Sequence, residues 1–245
     1  WKSVEAFKGK PIQGLCVLDD RLWVVANGLV YKSDNFLNTK FTRVEGMPYG
    51  VKSLLVENEN LWLADNTSIY FKNDSLVKLN IDKPIESFEL VGDTTLWVAT
   101  HGEGLYTYQN NSWIEMGKLF GIDDEIIYDL YASDEFLWIS TLTQGVFRFN
   151  TRDSSIVNFK EENGLANNHT RTSFKDSWGN MWFGTGGSGV SKYSGQTFER
   201  WSKNNGLRGN YIYSILESFN GTKYIGTSGG GVTVLDTTVR YLKKA

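Results

Sequence analysis

A short apolar pattern occurs six times along the chain and constrains its fold more than any other feature. It occupies residues 21–26, 60–65, 95–100, 136–141, 180–185 and 223–227. Its anchors are Trp23, Trp62, Trp97, Trp138, Trp182 and Tyr224, at intervals of 39, 35, 41, 44 and 42 residues. A period of that length belongs to propeller blades or to helical repeats. After each anchor a small residue (Gly28, Ser68, Gly104, Gly145, Gly189, Gly231) opens a new apolar run. Glycine reaches positive φ without steric cost, so a strand resuming directly after it reads as a β-hairpin. A further strand precedes each anchor, at 15–18, 53–56, 87–91, 127–131, 172–174 and 213–216. A fourth follows, at 41–44, 76–79, 113–116, 156–159, 198–201 and 239–242.

Four short strands per period, with no stretch of about ten residues at helical spacing, is the pattern of a propeller blade and excludes a helical solenoid. The expected fold is therefore all-β: a single β-propeller over residues 1–245 made of four-stranded antiparallel blades. The six blades fall at 8–45, 46–80, 81–117, 118–160, 161–202 and 203–245. The anchor strands are apolar on both faces (Leu22 and Trp23, then Val24 and Val25), so both faces must be covered. Blades stacked around an axis give that cover, and the indoles fill the widening gaps between them. Residues 1–7 read as the outer strand of a preceding or closing blade. Either they close a six-bladed ring on the last blade and displace 239–242, or the six blades are part of a seven-bladed ring in a larger protein. An open ring leaves an apolar face in water at roughly 25 cal/mol per Å², which favours the second reading.

The composition agrees: 25 Gly against 3 Pro, with 9 Trp, 12 Tyr and 14 Phe, suits strands joined by tight turns. A formal charge of −3 without a basic stripe argues against nucleic acid as a partner. No apolar run approaches the roughly 20 residues of a membrane helix, so no membrane span is expected in this chain. The chain starts at Trp1 with neither an initiator Met nor a basic-then-apolar leader, and export has to be inferred indirectly. Cys16, the only cysteine, excludes an internal disulfide and fits an inert buried thiol. The letters Gly184-x-Gly186-x-x-Gly189 match a dinucleotide fingerprint but join two strands, with no helix N-terminus to receive a phosphate.

In order, a unit reads strand, Asp-rich turn, Leu-Trp-Val/Ile-x-Thr, Gly-Gly, a hairpin, a strand and then Asn-Gly-Leu. The segments 162–168 and 203–210, each ahead of a new first strand, complete it, and Asp176, Gly179, Trp182, Gly184, Thr185, Gly186 and Gly187 stand in register. This resembles the regulatory-propeller repeat of bacterial hybrid two-component sensors, over essentially the whole chain. Ala26 and Asp65 depart from the Thr of the motif, Tyr224 from its Trp, and 46–48 and 83–84 from its Gly-Leu-Pro. Residues 33–36 also bear a faint similarity to Asp-box propellers. The resemblance implies a periplasmic sensor region attached to an inner-membrane protein. It also implies an oligosaccharide or other small ligand, further domains including a histidine kinase, a homodimer in the full-length protein, and no cofactor.

In a propeller the loops from fourth to first strand and from second to third strand emerge on one face around the axial channel, where a rigid frame holds variable sequence. Aromatic faces and planar polar groups on those loops suit a sugar. The candidates are Tyr49, His101, Glu103, Phe120, Asp123, Asp124, Gln144, His169, Arg208 and Tyr211. Three functions are compatible with them: a ligand-sensing propeller, a protein-interaction or secretion-accessory scaffold, and a propeller lyase or lactonase. The last rests on His101 and Glu103, with His101 and His169 meeting across the channel to hold a metal with Glu103 or Asp124. The chain lacks a repeated inward acidic set and a Gly-x-Ser-x-Gly elbow, so a non-catalytic role is expected.

Overall fold

Burial of the recurring indoles organises the molecule: Trp23, Trp97, Trp138 and Trp182 are all buried, and Trp62 is half-buried. The computed structural model describes residues 5–35, 40–57, 59–72, 76–92, 95–235 and 240–241. Six four-stranded sheets follow one another, each an antiparallel meander in chain order. The first strands, Ile12–Leu18, Ser53–Glu57, Ile85–Val91, Ile127–Ser133, Thr170–Lys175 and Ile212–Glu217, pack on one another around the axis. The last strands, Phe41–Arg43, Leu76–Asn80, Ser112–Glu115, Ile156–Phe159, Phe198–Trp201 and Arg240–Tyr241, form the rim. Among the described residues, helix is limited to the single turn Gly117–Phe120 and three 3-10 turns. The chain is a six-bladed β-propeller, as its periodicity predicts.

The repeated motif residues have local structural duties. Thr100, Thr141, Thr185 and Thr227 each donate their hydroxyl to the carbonyl of the glycine four residues on, which closes the second hairpin. Asp65 does the same work differently, accepting from the Thr67 and Ser68 amides and from the Tyr70 hydroxyl. Gly189, at φ +91°, lies so close to the last strand that a Cβ would stand 2.0 Å from the Trp201 carbonyl oxygen. The Asn-Gly-Leu segments form 3-10 turns in which Asn163 and Asn205 accept the amides of Lys160 and Ser202. Leu165 and Leu207 then plug the core. Cys16 is half-buried, and burial pushes its thiol up to about 12, consistent with an inert side chain.

Five buried apolar clusters lie between successive blades, from the first pair to the fifth. Among the described residues none lies between the sixth blade and the first. Leu15 and Val17 are 65% and 48% exposed, and Leu216 is 51% exposed. In register these match buried or half-buried positions elsewhere; Leu130, the counterpart of Leu15, is 3% exposed. The expectation for the first residues needs correction. Residues 5–7 are a 3-10 turn rather than a strand, and residues 1–4 lie outside the described part. Phe7 packs edge-on against Tyr31 and Phe41 of the first blade at 5.3 and 4.8 Å. The sixth sheet keeps its own last strand, Arg240–Tyr241, so no N-terminal strand displaces it.

Candidate ligand site at the channel mouth

A β-bulge near the start of a first strand inserts one unpaired residue and re-aims its side chain. Five of the six blades carry a register shift there, at Gln13, Glu86, Tyr128, Arg171 and Tyr213. Lys52 holds the equivalent place in the second blade, next to the Ser53–Ala64 pair. These positions are 10 or 11 residues ahead of each anchor and surround one end of the axial channel. Their neighbours come from the two loop sets expected to carry function.

The densest part spans blades 4 to 6. The Arg171 guanidinium lies over the rings of Tyr128, Tyr211 and Tyr213 at 4.2, 5.2 and 5.6 Å and donates to the Tyr211 hydroxyl at 3.0 Å. His169 stacks on Tyr128, with centroids 5.4 Å apart, and meets Tyr211 edge-on at 6.0 Å. Gly186 permits this arrangement, since a Cβ there would stand 2.4 Å from the His169 ring, and its amide donates to the His169 carbonyl. Burial and the Arg171 charge together hold the His169 imidazole below its ordinary pKa. Beside Tyr211 and Tyr213 opens a pocket of about 370 Å³ walled by Lys203, Arg208, Asn210 and residues 228–230.

The other candidates are distributed around the rim. His101 Nδ1 is 2.6 Å from Glu86 Oε1, which makes the bulge residue of the third blade its partner. Glu103 pairs with Lys83. Gln144 bridges two loops by donating to the Gly121 carbonyl at 2.9 Å. Tyr49 is 70% exposed, with Arg43 over its ring at 5.1 Å; Asp124 is exposed and Asp123 half-buried.

Phe120 belongs to the core rather than to a ligand surface. The helical turn that ends with it buries it against Phe147 and Phe149, so its ring faces are taken up by packing. The postulated metal set is not assembled either: His101 and His169 engage different partners. Among the described residues no group of three or more His, Cys, Asp or Glu is placed to hold a metal ion. Sequence reasoning missed Glu86, Tyr128, Arg171 and Tyr213.

Residues 164–187, which include His169, Arg171 and the Gly186-Gly187 turn, match the family model described as two component regulator propeller. That stretch carries one two component regulator propeller repeat. A histidine kinase, P4, of Formosa agariphila is 28% identical over 138 residues, 49% of this chain and 10% of that protein. The matched half of this chain thus covers about a tenth of that relative's length. Among solved structures, a streptogramin B lyase superposes with a TM-score of 0.77 at 12% identity, covering 96% of this chain and 83% of that one. The extracellular domain of a B. thetaiotaomicron hybrid two component system gives 0.57 at 16% identity, covering 95% and 41%. At such identities both structures share the fold of this chain and say nothing more of it. No helix among its described residues is long and apolar enough to cross a membrane.

Proposed function

We propose that this regulator propeller is the periplasmic ligand-sensing part of a hybrid two-component sensor. In this reading it takes an oligosaccharide at the channel mouth and relays its presence, through further domains and as a homodimer, to a histidine kinase. The observation that carries the reading is the ring of bulge side chains. Tyr128, Tyr211 and Tyr213 offer aromatic faces suited to the C–H faces of sugar rings, and Arg171, His169, Glu86 and Lys52 offer planar or charged groups for hydroxyls. Their mounting on the first strands of a stiff blade ring, or directly ahead of them for Lys52, His169 and Tyr211, supports a relay by rigid-body shift, since a ligand moves an equilibrium only by its differential affinity for two arrangements. Chemistry on the ligand is not part of this reading: the one local His and carboxylate pairing of the sequence is split, with His101 on Glu86 and Glu103 on Lys83.

Calorimetric titration of the intact protein with a panel of neutral and acidic oligosaccharides tests it. A saturable heat with at least one glycan, lost in both Tyr211→Ala and Tyr128→Ala, is the expected result. No binding across the panel, or binding that neither substitution changes, overturns it. Capture of a protein partner that is lost in Tyr49→Ala would favour the scaffold reading instead.

A further inference from the structure

Arg171 carries a charge that the fold does not neutralise. It has no carboxylate within ion-pairing distance among the described residues, and its only hydrogen-bond acceptor there is the Tyr211 hydroxyl. Its Nε is buried without a partner, and so is His169 Nε2 in the same cluster. Two buried nitrogens without partners, both against the Tyr128 and Tyr211 rings, are costly to leave unsatisfied. Three tyrosine faces compensate an arginine weakly compared with an anion that accepts its planar fork. The adjoining pocket continues the pattern: Lys203 and Arg208 stand on its wall, and none of its described lining residues is acidic, although the chain as a whole has net charge −3.

We propose that the Arg171 cluster is an anion subsite that takes a carboxylate or sulfate group borne on a sugar ring. The anion lies against the Arg171 guanidinium and His169 Nε2, and the ring that bears it rests on the faces of Tyr211 and Tyr213. The sugar part of this inference rests on the sensing reading above; the anion part does not. Glu86, on the neighbouring first strand and lining one cavity with Tyr128, is already paired with His101, and the charged groups beside Tyr211 and Tyr213 are Arg171, Lys203 and Arg208.

The protein has two histidines, one in the cluster and one outside it, so their ring C–H resonances give a local readout and an internal reference. The experiment titrates the intact protein with sodium glucuronate, sodium sulfate and neutral glucose in separate series at constant ionic strength. At least one anion is expected to shift the His169 signals saturably and raise its pKa, leaving His101 in place. Glucuronate or sulfate acting alone identifies the group recognised. Arg171→Gln is expected to weaken the response by about tenfold or more, and Arg171→Lys to retain part of it, with thermal melts confirming that both variants fold. The proposal is overturned by the absence of a saturable shift with either anion, by an equal response to glucose, or by an Arg171→Gln protein that titrates like the parent. Anion binding without affinity for any oligosaccharide would sink the sensing reading and leave the subsite standing. Tight binding of neutral glycans with no anion response would do the reverse.

Discussion

Asp176 accepts the indole N–H of Trp182 at 2.8 Å, which ties the turn of the fifth blade to its buried anchor. The same carboxylate accepts the amides of Trp178 and Asn180 at 3.1 and 2.8 Å, and buried Lys223 of the next blade is 3.4 Å away. The Asp of the repeat is therefore a hub, joining a turn, an indole and a neighbouring blade. Where the turn is only Asp19 and Asp20, in the first blade, the Trp23 indole nitrogen is buried without a partner.

Replacing Asp176 by Ala leaves the Trp182 N–H orphaned and Lys223 with Glu217 as its remaining carboxylate, beside the Gly221 carbonyl. A loss of about 3 kcal/mol is expected in chemical denaturation. Burial pushes the Asp176 and Glu217 carboxyls up, and their hydrogen bonds and Lys223 outweigh it, leaving both below the ordinary 3.8 and 4.5. Their contribution is thus full above the unfolded values and lost as pH falls through the folded ones. Parent and variant should converge in stability in acid.

Glu89 and Asp129 titrate the other way. They stand on neighbouring first strands beside a channel cavity of about 340 Å³. Burial above all, with the Asp129 and Glu57 charges, pushes Glu89 up to about 8, and burial pushes Asp129 to about 7 despite hydrogen bonds from Ser173 and others. The fold holds a proton on Glu89 that the unfolded chain releases near 4.5. Stability from this site is therefore full below that pH and declines as pH rises toward 8. Glu89→Gln should exceed the parent by about 2 kcal/mol at pH 8 and match it at pH 4. Denaturation curves at the two values decide the point, and a constant difference would contradict it.

The open faces of blades 1 and 6 make a third expectation. Leu15→Asp and Leu216→Asp each place a charge where the parent side chain already meets water, so each should cost within about 1 kcal/mol. Leu130→Asp puts the same change at the buried counterpart of Leu15 and should prevent folding. Equal damage at Leu15 and Leu130 would mean that the seam is sealed in solution.

Most of the fold was legible because each copy of the repeat repeats the evidence. Five tryptophans and one tyrosine at one register, four threonines closing the same hairpin and two Asn-Gly-Leu turns all point to one blade. The site was less legible for two physical reasons. The position lies 10 residues ahead of the anchor in some blades and 11 in others, and its occupants (Gln13, Glu86, Tyr128, Arg171 and Tyr213, with Lys52 at the equivalent unbulged place) have no one chemistry in common, so a search for sameness passes over them. Aligning the copies on their anchors and asking which inner-strand position varies most in size and charge would have found them. Phe120 misled because loop burial has no period: Gly121, at φ +67°, caps the one-turn helix, and Phe120 and Ile122 beside it are buried.

Asn210 links the frame to the site. Its side chain accepts the Lys203 amide at 2.7 Å, and its carbonyl accepts the amides of Gly187 and Gly189 at 3.2 and 2.8 Å. One residue thus staples the loop that precedes Tyr211 both to its own 3-10 turn and to the hairpin of blade 5. Asn168 repeats the arrangement one blade earlier, ahead of His169, with Glu161 and Gly145 as partners. Asn210→Ala removes the side-chain staple at a cost of about 1 kcal/mol and trims the pocket wall, while Arg171, His169, Tyr211 and Tyr213 are all retained. Because Tyr211 follows it directly, loosened backbone should spread the Tyr211 and Arg171 geometry and lower glycan affinity by more than the stability loss explains. Hydrogen exchange should report faster opening at 203–211, with 164–168 unchanged. If affinity holds while that loop exchanges faster, the aromatic rings are positioned by their contacts with Arg171 alone, and the staple serves only the fold.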